Sequence, residues 1–240
     1  MTKFGTRFDV YNDATVINIA RDENAKFFTE VMAARYPTLL DENRMSANLD
    51  KTKLATFLGK AVIGNMRAFI FACNQVDDFP KIGLPQLKLC LINMASNYYW
   101  PLLEELKPKR GIYESLIEPS TTLASEIFRT TAKKSTSSII IHQDLMQQLA
   151  QPFEILEYAG FISRRQASIA MKSGGRGSLF TLNLCNLLEN IPSLTSELFS
   201  AWLQDQHEPA EIHINSRILN DIQLPKLPLT RTSTFLSNHK

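Results

Sequence analysis

Apolar positions recur at helical spacing through the first half of the chain. Phe27, Phe28, Val31 and Met32 fall on one face of a predicted helix that Asp22 would cap and Pro37 would stop. Ahead of it, "RFDVYNDATVINI" predicts a short extended piece, a turn at Asn12-Asp13 and a strand over Thr15–Ile19. A second helix, opened by Ser46 or Asn48, is predicted over "NLDKTKLATFLGKAV". Gly64 and Asn65 then mark a break, and Met66–Val76 a buried helix. Pro80, Gly83 and Pro85 mark a boundary before the longest helical stretch, in which Leu87, Leu91, Met94 and Tyr98 share a face and Pro101 kinks or divides the run. A further helix, reset at Pro119, runs through "YESLIEPSTTLASEIFRTTAKK".

From Ser135 the period changes. Ile139–Ile141 is a β-branched triplet of strand length, and "DLMQQLAQPFEILEYAG" predicts two short helices divided near Pro152. "FISRRQASIAM" and "SLFTLNLCNLL" then form a hairpin pattern around a loop from Lys172 to Gly177. Ile155, Leu156 and Ala159 are expected to pack inward, with Gly160 ending the helix in a left-handed cap. The order helix, strand, helix, helix, strand, glycine turn, strand is that of a winged helix-turn-helix, with "LASEIFRTTAKK" as its first helix. "TSELFSAWLQDQ" adds a short helix capped by Thr195, and the segment from Glu211 onward reads as an extended or flexible tail. The expected fold class is mainly α with a small β-hairpin. Its expected divisions are a lid-like helical region at 1–79, a helical connector at 80–134, a winged helix-turn-helix at 135–190, and a short helix with a tail at 191–240.

A net charge of +2 over 240 residues excludes a general polycation, so any nucleic-acid reading rests on local clustering. Two windows without acids supply it. Tyr158–Leu188 carries Arg164, Arg165, Lys172 and Arg176, and Ile127–Gln143 carries Arg129, Lys133 and Lys134. Such windows around a helix-turn-helix are an electrostatic footprint for double-stranded DNA. Ser163, Ser173 and Ser178 offer hydrogen bonds to phosphate. The third helix has only Gln151, Glu154 and Glu157 to read bases, which predicts backbone-dominated, salt-sensitive binding. Its two acids equally fit a protein-interaction module docking on a partner or on another copy of itself, since the fold serves both uses.

"EILEYAGFISRRQASIAMKSGGRGSLFTLNLCNLLE" resembles the winged-helix region that follows P-loop modules in the broad AAA+ group including origin-recognition and Cdc6-like ATPases. "VIGNMRAFIFACNQ" is similar to the end of such an ATPase lid, and the N-terminal "FDVYNDATVINIARDENAKFFTEVMAARYP" to the last core strand and first lid helix. The resemblance implies a DNA-binding, C-terminal part of an ATPase, with Arg67 in the place of a nucleotide-sensing arginine. The departure is large: no G-x-x-x-x-G-K-[ST] occurs, and "SGGRGS" precedes a strand without a lysine-hydroxyl pair. No catalysis by this chain alone and no bound cofactor are expected. Arg67 would meet a nucleotide only if an ATPase partner supplied the site.

Other chemistry is thin. His142, His207, His213 and His239 are scattered, and His142 fits a cap or a phosphate contact better than a base. No metal site is expected. Tyr98-Tyr99-Trp100 reads as core before it reads as a base-stacking platform. The three cysteines, Cys73, Cys90 and Cys185, are far apart in apolar contexts, which fits reduced, buried thiols. With no signal-peptide core and no membrane span, a soluble, cytoplasmic chain is the expectation.

Overall fold

The computed structural model describes residues 25–106, 111–213 and Ile222. The strand expected at Thr15–Ile19, the cap at Asp22 and most of the expected tail lie outside these residues. Helix α1 spans Ala25–Arg35, α2 Lys51–Ala61 and α3 Met66–Asp77. The cap of α2 is Asp50, whose carboxylate accepts from Lys53 N at 2.8 Å, and not Ser46 or Asn48. A carboxylate placed directly before the first amides serves the helix better than a hydroxyl two or more residues upstream. Asn65 caps α3 through Ala68 N at 3.2 Å, in keeping with the break before Met66. At the other end of α3, Arg44 binds the Asp77 carboxylate at 2.8 Å and the carbonyls of Asp77 and Phe79 at 2.7 and 2.6 Å. Its cation thus meets the negative end of the helix.

Pro101 interrupts the α-helical ladder of the next run without ending it. α4 (Leu84–Met94) passes through a π-helical turn, Ala95–Tyr99, into α5 (Trp100–Glu104). Pro101 has no N–H to give, and the wider turn before it absorbs the missing bond. Pro119 marks a restart, as expected: a 3-10 segment at Gly111–Leu116 gives way to α6 (Ile117–Ala132), and the proline sits in the first turn of α6, where no intrahelical donor is needed.

The second half is built around a four-stranded mixed sheet. β1 (Ser138–His142) leads into α7 (Gln143–Gln148) and α8 (Ala150–Tyr158), followed by β2 (Ile162–Ala170) and β3 (Arg176–Leu182). Then come α9 (Leu184–Leu188), α10 (Ser196–Leu203) and β4 (Ala210–Ile212). The strand order is β2-β3-β1-β4, with β1 antiparallel to β3 and parallel to β4. β4 lies in what the sequence pattern marks as tail. It forms because it adds to the exposed edge of β1, a long-range pairing that three residues cannot announce. The second hairpin strand also stops earlier than expected. Asn183 turns the chain, its carboxamide oxygen accepts from Cys185 N at 2.8 Å, and "LCNLL" becomes α9.

The described residues are thus mainly helical with one small sheet, and their buried side chains form a single continuous cluster from Phe28 to Ile222. Ile139 and Ile141 of β1, Phe153 of α8 and Phe180 of β3 belong to it, together with the α4 residues Leu87 and Leu91. α9 packs back onto α4 and α10 onto α2, so the sheet region and the N-terminal helices share one interior. Tyr99 is wholly buried there, and Trp100 donates to Glu189 at 2.9 Å, so the aromatic run serves packing. No helix among the described residues is long and apolar enough to cross a membrane.

Candidate nucleic-acid interface

The hairpin is launched by a helix stop. Gly160 has φ +77°, Phe161 N bonds to Leu156 O at 2.9 Å and Gly160 N to Glu157 O at 3.2 Å. This pair of bonds satisfies the last carbonyls of α8 and turns the chain directly into β2. At the other end of the sheet, His142 closes β1 and caps α7, its Nδ1 accepting from Asp144 N at 3.2 Å.

The residues that the charge pattern singles out stand in different environments. Arg164 turns inward. Its backbone N–H and its guanidinium reach the two Glu157 carboxylate oxygens at 3.1 and 3.2 Å, and its charge lies 5.4 Å from the centre of the Phe180 ring. Its side chain is only 17% exposed, so it ties α8 to the hairpin and does not reach outward to a phosphate. Arg165 donates to Thr181 Oγ1 at 2.9 Å across the strands. It lines a cleft of about 320 Å³ with Ser137, Ser138, Lys60 and His207, in which Lys60 pairs with Asp205 at 2.7 Å. Burial lowers the His207 pKa against the opposing pull of Asp205.

Arg176 is exposed and reaches across the hairpin to Ser168 Oγ at 2.6 Å. Lys172 Nζ pairs with Glu208, and the backbone N–H groups of Lys172 and Ser173 donate to Glu211 at 2.5 and 3.3 Å. Ser173 Oγ lies 3.5 Å from His213 Nδ1. Burial raises the Glu211 pKa, but hydrogen bonds from Ser173 and Lys172 and the nearby His213 outweigh it and hold the carboxyl below its ordinary range. Two of the three serines are not available to a ligand. Ser163 is buried, and Ser178 is buried and donates to Ala167 O at 2.7 Å.

Lys133 and Lys134 are exposed just past α6 and make no ion pair with the described residues. They precede Ser138, which lies opposite Thr181 at the root of the hairpin, whereas His142 lies opposite Gly177 near its tip. Lys133 and Lys134 thus enter the sheet from the root side of the hairpin, and Lys172 and Arg176 stand at its tip. Arg67 is exposed in the first turn of α3, which packs against α2 and α4, and so belongs to the N-terminal helices and not to the hairpin surface.

On α8 the solvent side carries Tyr158, 70% exposed, with Glu154 half-buried beside it, whereas Glu157 is held against Arg164. The acids that matter most, Glu157, Glu208 and Glu211, all lie outside the two acid-free windows. Folding brings them in from the preceding helix and from the β4 edge. An alternating "EIHI" after Pro209 is the one local hint that an acid there belongs to a strand. Among the described residues, no group of three or more His, Cys, Asp or Glu side chains is arranged to hold a metal ion. No protein-family model matches the chain, and neither the curated proteins nor the solved structures yield a match.

Proposed function

We propose that the chain is a winged-helix module that binds duplex DNA through its phosphate backbone and works beside an ATPase partner. The observation that carries this reading is the element order α6-β1-α7-α8-β2-β3, with β1 paired to β3 and a left-handed glycine leading from α8 into the hairpin. Lys133, Lys134, Arg165, Lys172, Ser173 and Arg176 supply the backbone contacts in this reading, and Arg164 holds the hairpin on α8. Docking is positional and not sequence-reading, because α8 offers acids where base contacts would be made. Arg67, beside the capped start of α3, is the group that would reach a nucleotide bound by the partner.

A second reading has its own support. Glu154 and the exposed Tyr158 give α8 an acidic and aromatic patch, a surface suited to a basic protein partner or a second copy of the chain.

Fluorescence anisotropy of a labelled duplex, titrated with the full chain between about 50 and 200 mM salt, separates the two. The first reading expects affinity to fall steeply with salt. Replacing both Lys133 and Lys134 with Ala should weaken every duplex alike and flatten the salt slope by about 0.9 for each phosphate no longer neutralised. Binding that ignores salt, or a double variant indistinguishable from the parent chain, sinks it.

A further inference from the structure

The wing does not project freely. β4 lies two strands away from β3, yet the loop joining β2 to β3 reaches it. The hairpin register slips between Arg164 and Gln166 and again between Gln166 and Ile169, and such irregularities bend and twist a ribbon. At the tip the loop lies on His142. A Cβ at Gly175, where φ is +84°, would stand 2.9 Å from His142 Nε2, so only glycine lets the backbone come this close. Beyond His142 the tip meets β4, which its pairing with β1 holds in place. There the two oxygens of the Glu211 carboxylate take the adjacent N–H groups of Lys172 and Ser173, while Glu208 takes the Lys172 ammonium.

Two successive backbone N–H groups converging on one carboxylate, with an ammonium beside them, make an anion receptor that suits phosphate as well as carboxylate. We propose that Glu208 and Glu211 act as a built-in competitor for the wing tip, standing where DNA phosphates bind, so that duplex binding requires the tip to exchange these carboxylates for phosphate. The inference rests on the nucleic-acid reading and adds its regulation. The unoccupied chain keeps its wing folded back, and affinity is lower than the number of exposed cations implies. While its ammonium stays on Glu208, Lys172 neutralises no phosphate and adds nothing to the salt dependence.

The test is a salt-titrated duplex-binding measurement on the full chain and on a variant carrying Glu208→Gln and Glu211→Gln, each checked by thermal melting. The expected result is binding tighter by about tenfold with a salt slope steeper by roughly 0.9 for each phosphate newly engaged. Adding Lys172→Ala should remove the gain. If the parent chain binds with salt sensitivity and the variant shows the same affinity and slope, the competitor is refuted while the nucleic-acid reading stands. If neither chain binds in a salt-sensitive way, the nucleic-acid reading itself fails and takes this inference with it. Should the double variant melt early, Glu208→Gln alone keeps the test. Its side chain is 80% exposed and its loss leaves the fold intact, so unchanged affinity there refutes the role of Glu208 and about threefold tighter binding supports it.

Discussion

Replacing Arg164 should destabilise the fold before it changes any surface. The Arg164 and Glu157 side chains are 17% and 19% exposed, and they meet at 3.2 Å with the guanidinium over Phe180. Arg164→Ala strands a largely buried carboxylate. Breaking a fully buried pair costs about 3–5 kcal/mol, and partial access of water reduces this to about 2–3 kcal/mol here. For a chain of 240 residues that lowers Tm by roughly 5–10 °C, at about 2–4 °C per kcal/mol. Replacing both partners by Met removes the stranded charge, and the double variant should recover to within about 1 kcal/mol of the parent chain. Urea denaturation followed by circular dichroism of the parent, Arg164→Met, Glu157→Met and the double variant measures all four corners of the cycle, and with each single change costing about 2–3 kcal/mol the expected coupling is about 3 kcal/mol or more. If Arg164→Ala lies within about 0.5 kcal/mol of the parent, or the two substitutions simply add, Arg164 is not a structural tie. The consequence for function is direct. A charge-reversed Arg164 that loses DNA binding reports a damaged hairpin, so Lys133, Lys134 and Arg176 are the informative positions.

Three further outcomes follow from the packing and the buried charges. Gly177→Ala places a Cβ 2.6 Å from Ile140 Cγ2 and 2.7 Å from the Ile141 carbonyl oxygen, and should cost about 1–3 kcal/mol in urea denaturation. Gly174→Ala meets nothing within 4 Å and should cost only its positive-φ strain, about 1 kcal/mol; equal losses at the two sites would discredit the role of packing at Gly177. Hydrogen bonds from Arg44 hold the Asp77 carboxyl below its ordinary range, outweighing the burial that raises it. Its contribution is therefore complete above the ordinary carboxylate pKa and is lost as pH falls through the lowered value. Melting curves of Asp77→Asn should run below the parent at neutral pH and converge with it in acid, and a constant gap would contradict the linkage. Burial pushes the Cys73 and Cys185 thiols up and that of Cys90 to about 12. A disulfide reagent at about pH 8 should therefore label none in the native chain and all three after unfolding, and fast native labelling would show an open core.

Local chemistry is legible in the sequence wherever the partners lie within a turn or two of each other. Thr195 caps its helix and Gly160 ends α8 as expected, Asn65 caps α3 at the break the sequence marks, and the glycines after Lys172 turn the hairpin. Each of these is a bond of three to five residues' reach, so residue type and spacing suffice. The start of α2 is less legible, because several capping residues stand close together between Ser46 and Asp50 and only packing chooses among them. The β-branched triplet in "SIIIH" likewise announces a short strand, and its three isoleucines are all buried.

What the tertiary structure alone decided is which charges remain at the surface. Along the chain there are four cations and no acids between Tyr158 and Leu188. Folding set Glu157 against Arg164, seven residues away, and Glu208 against the Lys172 ammonium, 36 residues away. A charge is attracted over several ångströms whatever its sequence separation, whereas a cap or a turn is made by its neighbours. The helices and turns could therefore be read along the chain, while the electrostatic character of the hairpin depended on β4 finding the open edge of β1.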